Sequence, residues 1–234
     1  MKIDNTDFSF DESLKYLDEL VVQLNDAPEI PVCNALTDED LPPRTVVAVN
    51  CTAMCIKVNN KSVKDGKVKE YILHAAMNLI IKILASSKTI KHLHLQADGG
   101  LLAIFDTPMK KDVEDIINLS AQIRSINEVV LKKFHIMDLA AQVVTVGIDY
   151  GPVTCYCAGT SLDEYYLAGQ SIETAKLLTS ATQDCVNISN NIYINLPEDM
   201  TSKLFTSQGF VENLKYFYSP LINIRMRKWV VEQG

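Results

Sequence analysis

His92-Leu93-His94-Leu95-Gln96-Ala97-Asp98-Gly99-Gly100-Leu101-Leu102-Ala103-Ile104-Phe105 reads as two strands around a tight turn. Up to the turn, Ile90, His92, His94 and Gln96 alternate with Lys91, Leu93, Leu95 and Ala97. That is the period-two pattern of a half-buried strand. Asp98-Gly99-Gly100 supplies turn chemistry, and Leu101 to Phe105 is an unbroken apolar run, so the stretch predicts a hairpin. One carboxylate, Asp98, stands at the tip between small residues. Such a turn can hold an acid over a metal or a phosphate. The plain alternative is a solvated turn aspartate beside glycines, which is common.

The flanks place this hairpin inside a larger unit. Thr45 to Val58 is β-branched or apolar at nearly every position and predicts a central strand buried on both faces. Residues 59–66 are polar and break it. Val68, Tyr71, Ile72, Ala75, Ala76, Leu79, Ile80 and Ile83 then follow a helical period over residues 67–84. Beyond the hairpin, a second long helix fits Lys111 to Phe134, entered through Thr107-Pro108. Ala141 to Asp149 predicts a strand, Tyr150-Gly151-Pro152 a turn, and Val153 to Ala158 a return strand. Residues 165–167 read as short and extended, and Ser171 to Ser180 as a helix. Val186 to Leu196 predicts a strand or hairpin, and Asp199 to Phe205 a short helix. Tyr216 to Val231 predicts a final strand pair or one long strand.

The order is β-α-β-β-α-β with additions. It predicts an α+β fold with a ferredoxin-like core: a mostly antiparallel sheet, helices on one face, and extra C-terminal strands. Residues 1–44 form a lead-in. Leu14, Leu17, Leu20, Val21 and Leu24 give residues 8–24 helical spacing, with Asp11 as the expected N-cap. Residues 27–43 are rich in proline and acids and read as linker. The parse is an arm over 1–44 and one domain over 45–234.

A hydrophobic fraction of 47% in 234 residues provides for a full core and excludes a disordered chain. The net charge of -7 argues against nucleic acid as the main partner, because phosphate backbones need lysine and arginine clusters. A nucleotide needs only local donors or a metal. No run of about 18 uncharged apolar residues exists to span a membrane. Residues 1–7 are acidic and lack the apolar core of a secretory signal, so a cytoplasmic protein is expected. The six cysteines agree with that. Cys51 and Cys55, and Cys155 and Cys157, each share a strand face, but they lack zinc-knuckle spacing and read as reduced, buried apolar residues. His92 and His94 also share a face. Without a third ligand at matching spacing they read as a surface-facing pair.

Four places together resemble the class III nucleotide cyclase domain, in wording closest to the soluble pyrimidine cyclases of the bacterial Pycsar anti-phage system. They are Val49-Asn50-Cys51-Thr52-Ala53-Met54; Ala103-Ile104-Phe105-Asp106-Thr107-Pro108 with Lys111-Asp112-Val113; Val146-Gly147-Ile148-Asp149-Tyr150-Gly151 with Ala158-Gly159; and Ala175-Lys176-Leu177. Phe8-Ser9-Phe10-Asp11 also fits. The resemblance implies conversion of a nucleoside triphosphate to a 3′,5′-cyclic monophosphate, in a head-to-tail dimer with sites at the interface. It implies two divalent metals, Mn or Mg, held by one aspartate on the first strand and one in the hairpin turn. The facing protomer supplies an asparagine and a basic residue for ribose and phosphate.

Carried over by spacing, the first metal acid falls on Lys57, a cation. A shift to Asn50 yields no carboxylate either, and the next acid, Asp65, lies in polar loop. The hairpin acid falls on Gly99, six residues before Phe105. Asp98 reaches the metal position only if Gly100 is absorbed as a bulge. The ribose-orienting asparagine falls on Ile172, and the basic position on Lys176. Glu173, Asp149 and Asp163 match no family position. The expected nucleotide pocket is therefore Lys57, Gly99, Gly100 and Ile172, with Lys176 as the positioning cation and Asp98 as the one candidate metal ligand.

Three readings follow. The first is a catalytically degenerate subunit, acting as a homodimer or as a heterodimer with an active cyclase. The second is an active pyrimidine cyclase making cUMP or cCMP from UTP or CTP with Mn or Mg. The third is a sensor that binds a triphosphate or cyclic nucleotide without reaction. No membrane partner is expected in any of them.

Overall fold

Val46–Asn60 (β1) and Gln142–Cys157 (β4) lie side by side, antiparallel, from the pair Val46↔Tyr156 to the pair Asn60↔Gln142. The computed structural model describes residues 9–26, 46–61, 66–157 and 165–233. The linker expected over 27–43, Asp65 and Asp163 lie outside them. Between the two long strands run Gly66–Ala85 (α2), Ile90–Leu95 (β2), Leu101–Phe105 (β3) and Lys110–Lys133 (α3). This is the βαββαβ unit expected from the sequence. After it come Tyr165–Ala168 (β5), Gln170–Leu178 (α4), Val186–Ser189 (β6), Asn190–Tyr193 (α5), Glu198–Leu204 (α6), Ser207–Val211 (β7), Leu214–Ser219 (β8) and Ile224–Glu232 (α7). Phe10–Asp26 (α1) precedes it. The sheet order is β2-β3-β1-β4-β6-β8-β7, with β5 on the far part of β4. Every pairing is antiparallel except β4 with β6.

Period two divides the side chains of β1. Met54 and Ile56 enter the larger core with Leu101, Ala103 and Phe105 of β3 and Val144, Val146 and Ile148 of β4. Over that face lie α2 and α3. Ile72, Ala76, Leu79, Ile80 and Ile83 make the inward stripe of α2 and are fully buried. Each large aliphatic side chain so buried contributes about 1.5–3 kcal/mol. α1 covers this layer in turn, with Phe10 and Leu17 in the same core. Cys51, Ala53 and Cys55 point to the opposite face, where α4 supplies Ile172 and Ala175 and Leu167 of β5 packs beside them.

α3 is fastened by Arg124. Its guanidinium is buried and donates to the Asp184 carbonyl at 2.8 Å, the Asp184 carboxylate at 2.8 Å and the Leu221 carbonyl at 3.1 Å. One side chain thus joins the helix to the loop before β6 and to the turn after β8.

Four local expectations are corrected. Tyr150-Gly151-Pro152 is not a turn: β4 runs straight through it, paired to β1 at Tyr150↔Thr52, Gly151↔Cys51 and Pro152↔Asn50. Proline is tolerated because β6 pairs with residues 146–148 and β5 with 154–157, leaving β4 one neighbour at Pro152. Val186 to Leu196 is a strand only to Ser189, whose hydroxyl accepts the Ile192 N–H and opens a helical turn. Tyr216 to Val231 is not a strand pair. β8 ends before Pro220, and Asn223 caps α7 by accepting the Met226 N–H at 3.1 Å. Asp11 does not cap α1. Ser9 does, accepting the Glu12 N–H at 3.3 Å, while Asp11 pairs with Arg225 at 2.9 Å.

α4 reaches the sheet because residue 147 has no side chain. A Cβ there would stand 2.1 Å from the Ala175 carbonyl oxygen, 2.9 Å from Leu178 Cβ and 3.0 Å from the Thr179 nitrogen. Two of these three atoms are helix main chain, so the helix itself must move. Gly147→Ala is expected to destabilise the fold by about 1–3 kcal/mol or more. A lowered urea midpoint with faster amide exchange confined to α4 and β4 would register it.

Candidate functional site

The face beneath α4 leads from the buried cysteines to a charged rim. Lys57 follows Cys55 at the next position on the same side of β1. β3 begins at Leu101, opposite Ile56, so the β2–β3 turn lies beside Lys57. The turn is a three-residue loop, Ala97-Asp98-Gly99. Gly99 N–H donates to the Gln96 carbonyl at 2.9 Å and Gln96 N–H to the Gly100 carbonyl at 2.8 Å. Gly99 takes φ +80°, the left-handed residue such loops need. Gly100 is pressed onto β1: a Cβ there would stand 3.1 Å from the Ile56 carbonyl oxygen. The register irregularity between β2 and β3 falls at Ile90/His92, at the other end of the hairpin from Gly100.

Both oxygens of Asp98 are engaged. Oδ1 accepts the Gly100 N–H at 3.1 Å, and Oδ2 stands 3.9 Å from Lys57 Nζ. The two side chains are 44% and 46% exposed, so the pair adds at most about 1 kcal/mol to stability. Its consequence is occupancy: the position beside the turn acid holds an ammonium. Among the described residues no group of three histidine, cysteine or acidic side chains could hold a metal. A two-metal site needs converging carboxylates, and the residues present here do not fit one.

α4 closes the other side. It starts at Gly169, whose φ of +151° suits glycine and whose Cβ would lie 2.3 Å from the Pro152 carbonyl oxygen. Ser171 donates from Oγ to that same carbonyl at 3.2 Å. With this anchor the helical period turns Ile172 and Ala175 onto the sheet and leaves Glu173 and Lys176 exposed. Ile172, at the expected ribose position, is only 4% exposed. It packs over the strands and has no group to orient a sugar.

Charges from both sides converge on Cys55. Burial pushes its thiol up to about 12; Lys176 opposes this, while Glu173 and Asp98 reinforce it. Asp98, Glu173 and Lys176, with Lys57 paired to Asp98, are thus the charged rim around one buried thiol. Asp98 stands 3.9 Å from Lys57, with Gly99 and Gly100 in the same turn, and Ile172 and Lys176 lie on α4. Cys51, pushed up to about 11 mainly by burial, is likewise a protonated core residue. His94 is exposed and His92 half-buried, with burial holding the His92 ring below its ordinary value.

Asp149 is one buried acid that spacing to a family motif passed over. It is 3% exposed and sits opposite Ala53. Ser189 donates to its Oδ1 from the start of α5, and Asn191 Nδ2 donates to the same oxygen at 3.4 Å. Burial raises its pKa, and the Ser189, Tyr150 and Asn191 hydrogen bonds offset part of that. The carboxyl therefore links β4 to parallel β6 and to the helical turn that follows. Its sequence signal was an acid directly after the apolar run Val143 to Ile148.

Comparison with solved structures assigns the fold. The adenylyl cyclase CyaB from P. aeruginosa aligns with TM-score 0.58 and 16% identity, over 75% of this chain and 95% of that one. The guanylyl cyclase domain of the RhoGC fusion protein from Blastocladiella emersonii aligns at 0.56 and 15%, over 77% and 99%. A class III adenylyl cyclase-like ATP-binding protein from Pseudomonas aeruginosa aligns at 0.59 and 12%, over 80% of this chain but only 41% of its own length. The chain has the class III nucleotide cyclase fold. No protein-family model matches the sequence, and no curated protein does. No helix among the described residues is long and apolar enough to cross a membrane.

The Asp149 environment has a pH signature. Its folded pKa lies above the unfolded value, so the neutral acid is the form the fold prefers. Its contribution is full below the unfolded pKa and is lost as pH rises through the folded one. Asp149→Asn keeps the Oδ1 acceptor and removes the titration. The stability of Asp149→Asn relative to wild type is expected to rise across the carboxylate range and level off above it. Urea denaturation of both proteins over a pH series measures this difference.

Proposed function

We propose that this chain is a cyclase-fold subunit that acts by pairing and by binding nucleotide, with no metal-dependent catalysis of its own. The observation that carries this is the Lys57–Asp98 pair, 3.9 Å apart, at the turn where the fold's relatives are expected to gather metal. An ammonium there repels a divalent cation, and the single carboxylate beside it is already hydrogen-bonded to Gly100. Exposed Lys176 remains free of the core and suits the task of completing a partner's site across a dimer. The partner is a second copy or an active cyclase. The wording of the sequence favours the Pycsar type, hence an anti-phage setting and a pyrimidine nucleotide as ligand. The precedent of a cyclase-like protein from Pseudomonas aeruginosa that is known as ATP-binding supports a fold of this kind working through binding.

Purified protein incubated with each of the four nucleoside triphosphates and Mn²⁺ is expected to form no cyclic nucleotide detectable by mass spectrometry. UTP or CTP is expected to raise Tm without added metal, and Lys57→Ala to abolish the shift. Lys57→Asp places a second carboxylate beside Asp98, so Mn²⁺ is expected to raise the Tm of that variant and leave wild type unchanged. Accumulation of cUMP or cCMP by the wild-type chain alone would reverse the assignment in favour of an active pyrimidine cyclase.

A further inference from the structure

The two ends of the sheet are treated differently. β2, at one end, carries Lys91, exposed, and an irregular register at Ile90/His92. A lysine and a bulge are two of the devices by which proteins keep an edge strand from pairing with another chain. β7, at the other end, is Ser207-Gln208-Gly209-Phe210-Val211, with no charge, no proline and an unbroken register to β8. Phe210 on this strand is 71% exposed.

The hairpin fixes which main-chain groups face outward. Val211 and Leu214 flank a two-residue loop, with Glu212 and Asn213 at φ +46° and +67°. Such a loop closes on a hydrogen-bonded pair, and bonded pairs alternate along the ladder. Gly209↔Tyr216 and Ser207↔Tyr218 are then bonded pairs, which turns the N–H and C=O of Gln208 and Phe210 away from β8. At Gly209 the Tyr216 ring fills the position of the missing Cβ, with the hydroxyl 2.7 Å from that point.

We propose that β7 pairs antiparallel with β7 of a second copy of this chain, across a two-fold axis at Gly209. In that register Gln208 of each copy faces Phe210 of the other, forming about four main-chain hydrogen bonds. The glycines meet on the axis without side chains. The two Phe210 rings become diagonal neighbours, at about 7–8 Å between positions, within reach of aromatic side chains. Glu212 faces Thr206 of the second copy, so no like charges oppose. An isologous contact of this kind closes on itself and does not propagate. The pairing stands apart from the charged rim around Cys55.

Sedimentation velocity of the full chain tests it, with Phe210→Lys, which adds an edge charge, and Gln208→Pro, which removes an outward amide. Wild type is expected to have twice the mass of either variant. A dimer through another face would double all three masses and leave that ratio unchanged. Residue-resolved hydrogen exchange gives a reading that does not depend on the variants folding. The amides of Gln208 and Phe210 are expected to be protected in concentrated wild-type protein and to lose protection on dilution, while Gly209 stays protected at both. Equal masses for all three proteins, or fast exchange at Gln208 and Phe210 at every concentration, would overturn the pairing.

Discussion

The pairing of β1 with β4 is the constraint on which the other features depend. It runs without interruption from Val46↔Tyr156 to Asn60↔Gln142. In a ladder of period two, a slip of one residue would exchange the two faces of the sheet. Met54 and Ile56 would then leave the α2–α3 core, and Cys51, Ala53 and Cys55 would enter it. The same register sets Cys55 opposite both Gly147 and Leu102, which brings the bare strand position under α4. Lys57 comes to lie beside the β2–β3 turn only because β3 begins opposite Ile56.

α4 is the second layer of that logic. A short helix with Ile172, Ala175 and Leu178 inward has little area with which to hold itself on a sheet. Close approach compensates, since dispersion contacts fall away steeply with distance. Gly147 admits the helix main chain, and Gly169 lets the chain turn against the Pro152 carbonyl as the helix begins. Position along the helix then decides chemistry. Ile172 must face the strands once Ala175 does, and Lys176 must face out.

Most of the core unit was legible because its elements are long and strongly periodic. The stripe from Tyr71 to Ile83, the alternation around His92 and the run from Leu101 to Phe105 each have one consistent partner in the fold. The places of Lys57, Asp98, Ile172 and Lys176 were legible in the same way, because they sit at fixed offsets from those elements; what they bind is a matter of chemistry that periodicity does not carry. What was misread lay where local turn chemistry and tertiary pairing disagree. Tyr150-Gly151-Pro152 has turn residues, yet pairing to Thr52, Cys51 and Asn50 holds it extended. Past residue 186 the decisive signals are single caps, Ser189 and Asn223, and one proline, Pro220. An apolar window averages over them, so two short helices read as strand. β7 carried no apolar alternation to find, and its place in the sheet comes from the Glu212-Asn213 turn joining it to β8.

The charge balance at the hairpin tip separates fold from chemistry. Two carboxylates facing each other carry like charges, and a divalent cation between them relieves the repulsion. One carboxylate beside one ammonium is already neutral. Asp98 and Lys57 therefore place no electrostatic demand on a metal. A dication about 4 Å from an ammonium is repelled by roughly 2 kcal/mol at the dielectric of water, and by about four times that at the effective dielectric of a protein surface. The half-exposed pair itself contributes little stability, so the fold does not require the lysine. The turn is held by its main-chain bonds and by Asp98 Oδ1 on the Gly100 amide, and it is the other oxygen that faces Lys57. The hairpin can thus keep its shape, and with it the fold, while its chemistry changes through one neighbouring side chain.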